Sequence, residues 1–268
     1  MPPFRSARLL NLNALLQVSA FVVLLAGAVW LLAEGAASLG YNWQWVRIPR
    51  YLYSSGPEGL QAGPLLKGLG LTLQISALSL VLSLLIGLTT ALFRLSASPV
   101  ARGLAFVYLE LIRNTPLLIQ IFIIYFVMAP ILDLERFASA VLALSLFEGA
   151  YASEIIRAGI LGIPRGQWEA GASLGMNRPQ NYRYIVLPQA FRQMAPPLTS
   201  QGISLIKDSA LVSTIAIYDL TMQGQQIVAE TFLTFEVWFT VAAIYLALTL
   251  SLSALVKLLE WRLADYKI

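Results

Sequence analysis

Six stretches of about 20 or more mostly apolar residues dominate this sequence, and each is long enough to cross a hydrocarbon layer of about 30 Å at a helical rise of about 1.5 Å per residue. They run from Ala14 to Ala33, Gly68 to Phe93, Leu104 to Pro130, Phe137 to Ile156, Ala195 to Ile217 and Phe235 to Val256. The spacing predicts an all-α, polytopic transmembrane bundle of about six spans. Composition agrees: of 268 residues, 58% are hydrophobic and 12% charged, about half the charge of an ordinary soluble domain. A bilayer solvates apolar faces directly, so no charged surface is needed. Arg5 and Arg8 ahead of the first stretch also suit a secretory signal, but its apolar length favours a retained anchor.

The positions of Lys and Arg set an expected orientation. With the N-terminus inside, one side receives Arg5, Arg8, Arg94, Arg102, Arg157, Arg165, Arg178, Arg183, Arg192, Lys257, Arg262 and Lys267. The other receives Arg47, Arg50, Lys67 and Arg136. This positive-inside asymmetry predicts a multi-pass protein of the cytoplasmic membrane with both termini in the cytoplasm. It also accounts for the net charge of +4 without a nucleic-acid partner. Tyr41, Trp43, Trp45, Tyr51 and Tyr53 then fall in an outer loop, where aromatic rings favour the headgroup level. The expected organisation is an anchor span with an aromatic outer loop over 1–67, followed by a transmembrane domain over 68–268.

Catalysis has little to draw on. Cysteine and histidine are both absent, which removes the commonest zinc ligands and the usual general base near neutral pH. No Gly-Lys dipeptide occurs, so the chain holds no phosphate-cradling P-loop. No catalytic residue, metal or bound cofactor is expected.

The loop between the fourth and fifth stretches reads GILGIPRGQWEAGASLGMNRPQNYRYIVLPQAFRQ from Gly159. Pro164 and Pro179 each suit a first helical position, and Gly175 between them suits a left-handed helix stop. Trp168, Ala172 and Gly175 recur at helical spacing, giving a face with one large anchor and two small residues. By periodicity alone, that face fits either a groove on a partner or the lipid headgroup surface.

Glu169, Ala170 and Gly171, then Gly175 after three residues, and Ile185, Leu187 and Pro188 after nine more, reproduce the spacing of an EAA loop. The chain resembles the permease subunits of bacterial ATP-binding-cassette importers. One departure is Gly171, where that family usually has a second alanine. The segments GLTLQ at Gly70, RNTPLLIQ at Arg113, AYASEIIRAG at Ala150 and KDSALVST at Lys207 are similar to the polar amino acid branch. The resemblance implies a second permease subunit, identical or homologous, and a pair of ATPase subunits that bind ATP and magnesium and dock on the loop over about 159–188. It further implies an external binding protein that delivers a polar amino acid. Trp168, Glu169, Ala170, Gly171, Ala172 and Gly175 would carry the coupling.

Charge inside the spans is costly, about 3 kcal/mol per group on insertion scales, and faces a cavity or a partner. Arg113, Glu148 and Lys207 each fall on the order of 15 Å from a span end, near the expected midplane. Arg113 and Gln120 share a helical face, as do Glu148, Tyr151 and Glu154, and as do Gln201, Ser204 and Asp208. Arg113, Gln120, Glu148, Tyr151, Glu154, Lys207 and Asp208 are therefore the candidate substrate path, with Gln120, Tyr151 and Glu154 meeting the amino acid. The alternative is structural: Arg113 with Glu110, and Lys207 with Asp208, as internal ion pairs. Thr72, Ser76, Ser79 and Ser83 read as helix-packing contacts. Pro116 should break the third span, and Pro196 with Pro197 should open the fifth. A secondary transporter or channel could use the same buried charges, but has no reason to carry the EAA spacing.

Overall fold

A computed structural model describes residues 7–38, 40–56 and 59–264. The chain divides into two compact units, Met1–Trp45 and Val46–Ile268. The first holds α1 (Ala7–Ser38), whose apolar stretch Ala14–Gly35 is long enough to span a bilayer. After it, Tyr41 meets Trp43 edge-on at 5.2 Å and Trp43 stacks on Trp45 at 6.0 Å.

The second unit begins with α2 (Pro49–Leu52) and a two-stranded antiparallel hairpin, β1 (Tyr53–Gly56) with β2 (Gly59–Ala62), in which Tyr53 pairs with Ala62. Helices follow: α3 (Pro64–Leu95), α4 (Pro99–Arg113), α5 (Leu117–Phe122), α6 (Ala129–Leu132) and α7 (Arg136–Leu161). The loop helices α8 (Arg165–Ser173) and α9 (Arg178–Asn181) come next. The last are α10 (Leu187–Asp208), α11 (Leu220–Thr231) and α12 (Thr234–Ala264).

The centre of the bundle is α7, with α3 laid along it. Small residues make this approach close: a Cβ on Gly87 of α3 would lie 2.8 Å from Ala152 Cβ and 3.1 Å from the Gly149 carbonyl oxygen. Without a hydrophobic force between helices in lipid, such small-residue contacts and interhelical hydrogen bonds hold the pair. The expected stripe on α3 acts in this way. Thr72, Ser76, Ser79 and Ser83 are all buried; Ser79 Oγ donates to the Val141 carbonyl at 3.4 Å, and Thr72 Oγ1 accepts from the Leu220 amide at 3.1 Å. One apolar core gathers Ile75, Ile121, Leu144, Leu205 and Val212 from α3, α5, α7, α10 and the 3₁₀ turn after α10.

Two of the six expected stretches differ in form from a single apolar helix. Among the described residues, four helices are long and apolar enough to cross a membrane (Ala14–Gly35, Pro64–Leu95, Arg136–Leu161 and Thr234–Leu258), and a bent pair adds a fifth if it counts as one span. That pair is the third stretch, bent by 107° between Pro99–Arg113 and Leu117–Leu132. Pro116 lacks an amide hydrogen and disfavours helical backbone at Thr115, so the chain turns there. The fifth stretch is the end of α10 and a 3₁₀ turn at Ser209–Ile215; Gln189, Arg192, Gln193 and Gln201 make α10 too polar to pass as an apolar span. Pro196 and Pro197 do not open it either. They lie inside α10, which starts at Leu187.

Candidate functional site

Glu154 of α7 is the hub of a charge cluster that joins three helices. Arg94, from the last turn of α3, pairs with its Oε1. Arg113, the last residue of α4, reaches the same oxygen at 3.2 Å, and Arg157, one turn further along α7, reaches Oε2 at 2.9 Å. Three guanidinium groups thus share one carboxylate, leaving a local surplus of positive charge. Arg113 also lies 6.0 Å above the ring of Tyr151, which itself packs against Phe147 at 5.1 Å.

This geometry revises two expectations about Arg113. It does not pair with Glu110, which instead accepts from the side-chain amide of Asn114 at 2.8 Å. Nor does it lie inside a continuous helix: the bend at Pro116 makes it a helix end, on the same Glu154 oxygen as Arg94 from the end of α3. Arg94 and Arg157 read in sequence as loop charges, and only the i, i+3 spacing of Glu154 and Arg157 hinted at a partner.

Gln120 is turned inward at the same bend. Its Nε2 donates to the carbonyl oxygens of Ile112 at 2.7 Å and Thr115 at 3.0 Å, and to Thr115 Oγ1 at 2.8 Å. Carbonyls freed by Pro116 need such donors at membrane depth. Gln120 is therefore a brace for the bend in this conformation.

Glu148 is a second, separate site. It is 1% exposed, its Oε2 accepts from the side-chain amide of Gln201 on α10, and the Asp208 carboxylate is near enough to interact with it. Its Oε1 has no hydrogen-bond donor among the described residues. Lys207 is exposed and forms no close ion pair with Asp208 among the described residues, although its charge acts on that carboxylate.

The loop between α7 and α10 is closed by its own chemistry. Gly175 adopts φ +77°, and the amides of Gly175 and Met176 donate back to Ala172 and Gly171 at 2.9 and 3.2 Å, a Schellman stop for α8. Asn177 caps α9 in a reciprocal box with Gln180. The proline expectations shift by one place: Pro164 caps α8 and Pro179 is the second residue of α9. Trp168 does not share an outward face with Ala172 and Gly175. It is half-buried and meets Tyr182 edge-on at 4.8 Å, because Asn181 Nδ2 donates to its carbonyl at 2.8 Å and pulls α8 onto α9. Gly171 is buried against Asn181, whereas Glu169, Ala170 and Ala172 are exposed. Val186 and Ala190 fix the loop's far end against Ile156 and Ile160 of α7.

Residues 82–265 match the family described as the binding-protein-dependent transport system inner membrane component. The chain belongs to that permease family. Among its permease relatives, the glutamine transport system permease protein GlnP of Escherichia coli K12 is 41% identical over 202 residues, covering 74% of this chain and 92% of that protein. The L-cystine transport system permease protein TcyB of Bacillus subtilis 168 is 42% identical over 201 residues, 74% of this chain and 86% of that one. A crystal structure of an amino acid ABC transporter with histidines superposes at a TM-score of 0.70 and 38% identity, over 74% of this chain and 94% of the other. The MetNI methionine ABC transporter, in an inward-facing conformation, shares the fold at a TM-score of 0.64 and 20% identity, over 74% and 95% of the two chains. The family match and these permease relatives do not favour a secondary transporter or channel.

Proposed function

We propose that this permease subunit works in an ATP-driven importer of polar amino acids, with both termini and the 159–188 loop in the cytoplasm of a bacterial cell. Two permease subunits, this chain and a copy or homologue, form the pathway. An external binding protein delivers the substrate, and a pair of ATPase subunits binds ATP and magnesium and docks on the loop. The observation that carries this reading is the loop itself: a Schellman stop at Gly175 and a capping box make a compact unit that presents Glu169, Ala170 and Ala172 outward, with Trp168 and Gly171 packed beneath it. A rigid short helix standing on the end of α7 can transmit a partner's movement into the bundle.

The substrate path runs along α7, past Glu148, Tyr151 and Glu154, with Arg113 from the bend and Lys207 and Asp208 from the end of α10; Gln120 borders it as the brace of the bend. The test is reconstitution of the permease with its ATPase in proteoliposomes, with the binding protein and a radiolabelled amino acid. ATP-dependent uptake supports the reading. Uptake that follows an ion gradient and ignores ATP would overturn it.

A further inference from the structure

An apolar groove of about 480 Å³ runs between α3, α10 and α12, away from every charged residue of the proposed substrate path. Leu80 and Leu84 of α3 form one wall, Phe191, Leu198 and Ile203 of α10 form the other, and Val256 of α12 completes it. The lining extends from Leu73 to Leu84 on α3 and from Phe191 to Ile206 on α10, about 16 Å and about 22 Å of helical rise. One hydrocarbon leaflet is about 15 Å deep, so the groove has the length of a leaflet. Charge stands at one end of it. Arg192 follows Phe191 and lies on the helical face of Ala195 and Thr199, which line the groove, and Lys257 follows Val256. Both cations are exposed and in no ion pair among the described residues. No acidic residue occurs on α3, or on α10 before Asp208.

We infer that this groove holds one acyl chain of an anionic phospholipid from the cytoplasmic leaflet, with the headgroup phosphate on Arg192 and Lys257. This goes beyond the proposed importer function and takes from it only the orientation, which puts the 159–188 loop, and so the start of α10, on the cytoplasmic side. Size decides what enters. A helix as long as the α3 wall, taken as a cylinder about 10 Å across, fills about 1,300 Å³, more than twice the groove. Such a helix could rest on the opening, whereas a single hydrocarbon chain goes in. Apolar contact alone selects no particular lipid, because every lipid tail is as apolar as the walls. Selection comes from the basic end: cations between helices on the cytoplasmic side attract anionic headgroups, at roughly fivefold in affinity for each Lys or Arg near the surface. A chain seated there braces α10 against α3, directly beyond the loop that α10 continues.

The test is native mass spectrometry of the purified permease–ATPase complex, delipidated in detergent and titrated with phosphatidylglycerol or phosphatidylcholine of identical acyl chains. We expect one phosphatidylglycerol per permease subunit, held at least fivefold (roughly one cation's share) more tightly than phosphatidylcholine. The double variant Arg192→Gln with Lys257→Gln should bring its retention down to the phosphatidylcholine level. Ala77→Phe, which sets a ring into the groove from α3, should weaken both lipids. Equal retention of the two lipids by the unaltered complex, or phosphatidylglycerol retention that neither variant changes, overturns the inference and leaves only unselected surrounding lipid. Loss of a permease subunit from the Ala77→Phe complex, with lipid retention unchanged, also overturns it and makes the groove an interface between copies. If Ala77→Phe does not assemble at all, the unaltered complex is cross-linked with phosphatidylglycerol carrying a photoreactive acyl chain. Adducts between Phe191 and Ile206 then support the inference, and adducts only elsewhere overturn it. The same complex is reconstituted for uptake: absence of ATP-dependent uptake defeats the importer reading alone, and ATP-dependent uptake without lipid selection defeats the lipid site alone.

Discussion

The side-chain amide of Asn181 donates to the backbone carbonyl of Trp168 at 2.8 Å, and Gly171 lies directly beneath it, where a Cβ would come within 2.7 Å of the amide. The absence of a side chain at Gly171, in the position usually held by a second alanine, is thus what lets Asn181 lie across α8. We predict that Gly171→Ala displaces Asn181 and costs about 1 kcal/mol, roughly one net hydrogen bond. Asn181→Ala should cost a similar amount, and the double variant less than the sum, since each change removes what the other disturbs. Thermal unfolding of the three purified variants tests this; strict additivity would sink the idea.

At Gly175 the constraint is conformational rather than steric. The left-handed φ is present, but a Cβ there would meet nothing within 4 Å. Gly175→Val should therefore strain the turn by about 1–2 kcal/mol, while Gly175→Asn, which tolerates this backbone, should be mild. The proposed coupling predicts that the Val variant inserts normally but loses its ATPase on copurification and shows no hydrolysis stimulated by the loaded binding protein. Equal retention of the ATPase by Val and Asn variants would show that the stop does not position the docking surface.

Glu154 balances three guanidinium groups, so Glu154→Gln removes the charge that lets Arg94, Arg113 and Arg157 sit together. All four side chains are partly exposed, which screens the effect. We expect a loss of about 1–3 kcal/mol, in the range for hydrogen bonds to charged groups, seen as a lower unfolding midpoint in detergent. Glu154→Asp, which keeps the charge, should recover part of it. An unchanged midpoint in the Gln variant, with altered substrate affinity, would instead make Glu154 a substrate contact.

Gln120 offers a similar separation of roles. Gln120→Leu keeps the size but leaves the carbonyls of Ile112 and Thr115 without their shared donor, at about 1–3 kcal/mol for the orphaned groups. Stability of the assembled complex should fall and uptake should fall with it, in proportion to the protein that survives. A variant of full stability with a raised KM would assign Gln120 to the pathway rather than to the bend.

Much of this protein was determined locally. Apolar runs such as Pro64–Leu95 and Thr234–Leu258 are helices because a bilayer leaves their backbone groups no other partners, and that is legible along the chain. So is the helix stop at Gly175, whose chemistry lies within a few residues. The break at Pro116 was legible as well, because proline acts on its own neighbours. Its angle was not. Only the tertiary structure decided that Arg113 meets Arg94 and Glu154 rather than Glu110, that Gln120 braces the bend, and that Trp168 turns inward onto Tyr182. Each of these depends on how neighbouring segments pack, and for the first of them on how closely α3 can approach α7 at Gly87 and Gly149. A hydropathy pattern records which residues avoid water. It carries no record of which of them will touch.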